Sequence, residues 1–125
     1  MSGALEDLKV VELRQGIAAA YCGMLMGDLG AQVVIAQDSR STEEPDPPVN
    51  ARLYLDRNKR SIALDMGHVE HRNILDDLVG WADVVIDELL PSTKLDWGID
   101  DQIWCDKNPG LIYASITPFG RFGAD

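Results

Sequence analysis

The most constraining feature of this chain is the run "LKVVELRQGIAAAYCGMLMGDLGAQVVIAQD", residues 8 to 38. Lys9 to Leu13 is a short, β-branched, apolar segment of the kind that makes a buried strand. From Ala18 to Leu29 the apolar residues Ala18, Tyr21, Cys22, Leu25, Met26 and Leu29 recur at helical spacing, which predicts a helix with that stripe facing the core. Gly30 is placed to end it as a C-cap. Gln32 to Gln37 is apolar and β-branched again, a second strand. A strand, a helix and a strand joined by short links have one stable arrangement: parallel strands with a right-handed crossover.

The pattern then breaks. "DSRSTEEPDPPVN", residues 38 to 50, has three prolines and no periodicity, and is predicted to be a mobile loop. Alternation resumes with a strand at Arg60 to Asp65. A helix follows near Val69 to Trp81, with Ile74, Leu75, Leu78 and Val79 as its buried side. Val84 to Asp87 is continuously apolar until its last residue, as a central parallel strand should be. Short helical pieces are expected between Pro91 and Asp106, and a last strand at Leu111 to Ile116. The expected fold is a single α/β domain over residues 1–125. It is Rossmann-like and doubly wound, with a mostly parallel sheet of about five strands and helices on both faces. Such sheets bind ligands in the crevice beyond the carboxyl ends of their strands. Those ends are Arg14 to Ile17, Asp38 onward, Asp65 to Gly67, Asp87 to Pro91 and Thr117 onward.

Charge narrows the partners. The formal net charge is -10, and nucleic-acid affinity comes largely from phosphate neutralisation by Lys and Arg. Nucleic acid and anionic membrane surfaces are therefore poor partners. Neither of the two cysteines, Cys22 and Cys105, sits in a CxxC pair, which fits reduced thiols in a cytoplasmic protein. No apolar run is long enough to cross a bilayer, and the first residues do not read as a signal peptide.

Candidate chemistry is sparse. The turn "RQGIAAA" has one glycine where a dinucleotide fingerprint has three, and there is no P-loop. Amides at a helix start can still meet an anion, although Ala is also simply a good helix former. In "DRNKRS", Arg57, Lys59 and Arg60 concentrate positive charge, either for a polyanion or as a solvated turn. His68 and His71 form an H-x-x-H pair near Asp65 and Glu70, with no third strong ligand evident, so no metal is expected. Glu12, Asp38, Asp65, Asp87 and Glu88 all fall at or near strand ends, where capping and acid–base roles are both open.

Five segments, "LEDLKVVEL", "YCGMLMGDLGAQVV", "NKRSIALDM", "WADVVIDELLP" and "NPGLIYASITPFGRFG", in this order and spacing, resemble the N-terminal part of the class III CoA-transferases. That family includes formyl-CoA:oxalate and carnitine CoA-transferases and α-methylacyl-CoA racemase. The resemblance implies coenzyme A or acyl-CoA as the bound cofactor, and an interlocked homodimer. It also implies an aspartyl nucleophile that lies further along the chain than this sequence reaches. This chain alone would then not catalyse transfer; the remainder of the family fold or a second copy would complete it. By the same resemblance Arg57, Asn58, Lys59 and Arg60 lie at the nucleotide end of the cofactor. Gln15, Gly16, Ile17, Ala18, Glu88 and Leu89 lie along the path to the acyl group.

The departures concern the phosphates of CoA. Basic positions of the family pattern are Ile35, Asp38, Leu90 and Asp96 here, and only Lys94 is near enough in sequence to substitute. A charge-assisted phosphate contact is worth about 1.5–3 kcal/mol, so losing two or three weakens binding by several powers of ten. The alternative that follows is a degenerate, non-catalytic copy kept as a structural or partner-binding module.

Overall fold

In a computed structural model, residues 3–13, 16–40, 49–118 and 120 are described. Five strands, β1 (Lys9–Leu13), β2 (Gln32–Asp38), β3 (Lys59–Leu64), β4 (Val84–Asp87) and β5 (Ile112–Ser115), alternate with helices. The helices are α1 (Ile17–Asp28), α2 (Val49–Leu55), α3 (Val69–Trp81), α4 (Pro91–Trp97) and α5 (Asp101–Lys107). All strand pairs are parallel, in the order β3-β2-β1-β4-β5. The chain winds outward from β1 in both directions, so the order reverses between β1 and β4. That is the Rossmann arrangement, and in such sheets ligands bind at the switch point.

Side chains alternate across the sheet. Val10, Val33, Val84 and Ile86 pack with Ala19 of α1, and Ala20 and Met24 of α1 pack with Leu55 of α2. On the other face Val11, Leu13 and Val85 meet Leu75 and Val79 of α3, with Trp97 and Trp104 from α4 and α5. Full burial of each large apolar side chain contributes roughly 1.5–3 kcal/mol, so both layers bind the sheet firmly. Turn chemistry sets the boundaries. Pro91 starts α4 and Gly98, at φ 69°, ends it. The carboxylate of Asp100 caps α5 by accepting from the Gln102 and Ile103 N–H groups.

Four expectations need correction. First, α1 buries its small residues rather than the expected stripe, of which only Cys22 and Met26 pack partly against the core. Ala19, Ala20, Gly23, Met24 and Gly27 face inward, while Ile17, Tyr21, Leu25 and Leu29 are 45–54% exposed. The helix is apolar all round, so periodicity did not choose a face. The small residues face the sheet because α1 lies very close to it: a Cβ on Gly23 would come 2.0 Å from Glu12 Oε1. Second, the region expected to be a loop ends in a helix, α2, which the sequence reading missed because the prolines masked its start. The proline stretch itself, 41–48, lies outside the described residues. Third, β3 begins at Lys59 and ends at Leu64, one residue earlier at each end than expected. Fourth, in α3, Ile74 is 42% exposed and the buried side reduces to Leu75 and Val79, with Leu78 partly buried.

Candidate functional site

At the switch point, β1 and β4 end side by side. The pairing continues one step beyond β4, where Glu88 N–H donates to Leu13 O at 2.8 Å. This turns the Glu88 side chain toward the start of α1, and the Ala19 N–H donates to Glu88 Oε2 at 3.1 Å. Gly16, the N-cap of α1, contributes no side-chain cap, and a Cβ there would come 2.7 Å from Glu88 Oε1. Glu88 is thus the cap, delivered from a residue 69 positions away. Its Oε1 is buried and makes no hydrogen bond to the described residues. A carboxylate at a helix N-terminus is stabilised by the free amides and by the helix dipole.

Next to Glu88, Asp87 ends β4 and is almost completely buried. It accepts from the Tyr113 hydroxyl and the Lys94 ammonium, and its Oδ1 accepts from the Leu89 N–H at 2.7 Å. Lys94 also lies over the Tyr113 ring, 5.3 Å from its centroid. Burying a carboxylate is costly unless every oxygen is engaged, and here a β5 hydroxyl, an α4 ammonium and a backbone amide engage it. This cluster ties α4 to the sheet and holds the 88–90 turn in place.

Further along the carboxyl edge, Arg40 lies beyond β2. Its guanidinium meets Asp38 at 2.8 Å and Asp96 of α4 at 2.7 Å, with Asp65 at 3.7 Å. Burial pushes the Asp38 carboxyl up, but the Arg40 side chain and the Arg40 and Met66 amides outweigh it, so Asp38 is held below the usual carboxylate range. The same contacts hold the Arg40 guanidinium above its ordinary value, the Asp38 hydrogen bond contributing most. Arg72 crosses the same region, donating to Met66 O at 2.7 Å and to Asp96 O at 3.1 Å. The Asp65 N–H donates to His71 Nδ1 at 2.7 Å, and His68 Nε2 lies 3.3 Å from Asp65. Among the described residues, no three His, Cys, Asp or Glu side chains are grouped to hold a metal.

The expected site residues therefore divide. Gly16, Ile17, Ala18 and Glu88 gather at the switch-point crevice, while Gln15 lies outside the described residues. Leu89 is buried in the core of the α3 face, so its side chain does not line the crevice. Arg57, Asn58, Lys59 and Arg60 precede or open β3, which puts them at the amino end of the sheet, away from the crevice. Arg57 is bound to Asp28 through two nitrogens, at 3.1 and 2.6 Å, and stacks on Tyr54 at 4.5 Å. Asn58 turns the chain with φ 62°.

Lys59 turns inward. Its side chain is wholly buried under α1, 2.7 Å from the equally buried Glu12 and 2.9 Å from Ala20 O. Desolvation at that depth excludes a bulky anion. Lys94, the expected substitute cation for phosphate, is held by Asp87. Beside the Glu12–Lys59 pair, burial and then the Glu12 charge push the Cys22 thiol up, against the pull of Lys59. Sequence reasoning missed Arg40 and the Glu12–Lys59 pair. The usable signals were the lone cation in the acid-rich stretch after β2, and a charged residue inside each of two strands, which burial obliges to pair.

The fold defines a Rossmann-type α/β protein. The sequence profile of CoA-transferase family III matches residues 5–125, and the chain belongs to that family. It is 36% identical to succinyl-CoA:mesaconate CoA-transferase of Haloarcula hispanica, over 94% of this chain and 33% of that protein. It is 29% identical to succinyl-CoA:glutarate CoA-transferase of Homo sapiens, over 95% of this chain and 29% of that protein. The crystal structure of a CAIB/BAIF family protein from Brucella suis superposes with a TM-score of 0.84 at 31% identity. That superposition covers 99% of this chain and 36% of the other. The chain thus spans about a third of the length of the relatives it matches. No helix among the described residues is long and apolar enough to cross a membrane.

Proposed function

We propose that this chain forms the CoA-facing wall of a family III CoA-transferase-like protein. In this reading, transfer through an aspartyl intermediate depends on residues beyond the part present here. The observation that carries the reading is the switch point, where Gly16, Ile17, Ala18 and Glu88 come together, in a chain that matches the family over residues 5–125. These residues border the path to the acyl group, with Gln15 beside them. Arg40 is the cation on the carboxyl edge that faces the phosphates. Arg57, Asn58 and Lys59 support the fold from the amino end of β3 and do not touch the cofactor; Arg60, exposed at the same end, does not touch it either. The exposed stripe Ile17, Tyr21, Leu25 and Leu29 on α1 is covered by the rest of the family fold or by a second copy in a homodimer.

A second reading has its own observation. Among the described residues, Arg40 and Lys94 at the carboxyl edge are held by the chain's carboxylates, and Asp96, at a position expected to be basic, does part of the holding. That favours a non-catalytic module. Calorimetric titration of CoA into the folded chain separates the two. A micromolar dissociation constant, weakened by Arg40→Glu, supports the CoA-facing wall. No heat at millimolar CoA from a folded protein supports the module.

A further inference from the structure

A Rossmann sheet has one position where a phosphate is ordinarily seated: the N-terminus of the helix after β1, at the switch point. Glycines there normally let the diphosphate approach the backbone. In this chain that helix is α1, and its first turn is Ile17, Ala18 and Ala19 behind Gly16. The seat is already filled. Glu88 Oε2 accepts from the Ala19 N–H at 3.1 Å, and Glu88 Oε1 sits where a Cβ on Gly16 would collide with it. Oε1 is buried and, among the described residues, has no hydrogen-bond donor of its own. The carboxylate is therefore not a surface group that has drifted onto the helix end. It is packed there, carried by the backbone bond from Glu88 N–H to Leu13 O. Behind it, Asp87 pins the turn through the Leu89 amide, Tyr113 and Lys94.

We infer that Glu88 is a specificity-determining residue, an internal anion that occupies the phosphate seat of the Rossmann fold and excludes a diphosphate from the start of α1. Two features make the exclusion effective. The Ala19 amide is already used, so an incoming phosphate loses a donor. A second anion would also sit within a few ångströms of a partly buried carboxylate, where solvent screens the repulsion poorly. A ligand crossing the switch point can pass Gly16 only with an uncharged segment, and any phosphates it carries must lie elsewhere along the carboxyl edge. The inference stands on the fold and the Glu88 geometry, whether or not CoA binds.

The test is a titration of inorganic pyrophosphate into the chain, followed through the backbone amide resonances of Ala18, Ala19 and Ala20. Wild type is expected to show no saturable shift there at millimolar pyrophosphate. Glu88→Ala, which empties the seat, is expected to bind with shifts centred on those amides and at least about tenfold more tightly than wild type. Glu88→Gln keeps the shape and the acceptor for Ala19 and removes only the charge. It is expected to fall between the two, and it decides the matter if truncation unfolds the chain. Saturable shifts at these amides in wild type, as strong as in the variants, would overturn the inference. So would a folded Glu88→Gln and a folded Glu88→Ala that both leave these amides unmoved.

Discussion

Replacing Glu12 by Gln removes one charge from a pair that is wholly inside the protein. Glu12 and Lys59 side chains are both fully buried, with Oε1 and Nζ 2.7 Å apart. After the replacement the buried ammonium retains Ala20 O at 2.9 Å and Asp56 at 3.9 Å. Breaking a buried pair from one side costs about 3–5 kcal/mol. Asp56 offsets part of that, which places the loss near the lower end, about 3 kcal/mol. A domain of this size is stable by roughly 5–15 kcal/mol, so the change removes a large fraction of the total. At roughly 4 °C per kcal/mol, the melting temperature should fall by about 12 °C. Thermal melts followed by circular dichroism, with urea titrations alongside, measure it. A double variant, Glu12→Leu with Lys59→Leu, carries no buried charge and should recover to within about 1–2 kcal/mol of wild type. If Glu12→Gln melts within about 3 °C of wild type, or the double variant is no better than the single, the pair is not a desolvated ion pair and the reasoning fails.

Two glycine replacements should act in opposite directions. Gly23→Ala puts a Cβ 2.0 Å from Glu12 Oε1 and 3.2 Å from Lys59 Nζ, and overpacking of that kind costs about 1–3 kcal/mol, read as a lower urea midpoint. Gly80, in α3, has open space around its Cβ position, so Gly80→Ala should stabilise by about 0.5–1 kcal/mol. A stabilised Gly23→Ala would contradict the close approach of α1 to the sheet. Asp38 should respond to Arg40. Burial is the strongest single influence on its carboxyl and pushes it up, while Arg40 and the backbone amides reverse the sign. With its native value lowered, Asp38 stabilises the fold above the ordinary carboxylate value near ~3.9. That stabilisation is lost as pH falls through the native value. Arg40→Ala should move the Asp38 titration upward, seen by carbon-13 NMR of its carboxyl; an unmoved titration would mean the pair does not form in solution.

Much of the fold could be read directly. The strands at Lys9–Leu13, Gln32–Asp38 and Val84–Asp87 are runs of Val and Ile bounded by glycine or charge, and their spacing demanded parallel crossovers. The position of α3 followed from its periodicity, and α4 and α5 fall within the stretch where short helical pieces were expected. The stretch before β3 was less legible, because α2 is a single short helix behind a proline-rich segment and its stability comes from packing Leu55 against Ala20 and Met24. The site was the least legible part. A cluster of cations in sequence reads as a ligand patch, but here Lys59 pairs inward and Arg57 pairs with Asp28.

By itself, the sequence determined the order of the strands, the helices other than α2, and the parallel sheet, because those depend on residues a few positions apart and on short connections. It also determined the acidic balance that leaves few cations for an anionic ligand. The tertiary structure alone decided which face of α1 turned inward, since both faces were apolar and only the approach to Glu12 and Lys59 distinguished them. It also decided where the charges went. Lys59 meets Glu12 across 47 residues and Glu88 meets Ala19 across 69, and no local pattern encodes a pairing at that distance. The pairings exist because a buried charge must find an opposite charge or a free amide, and the folded sheet determines which one is within reach.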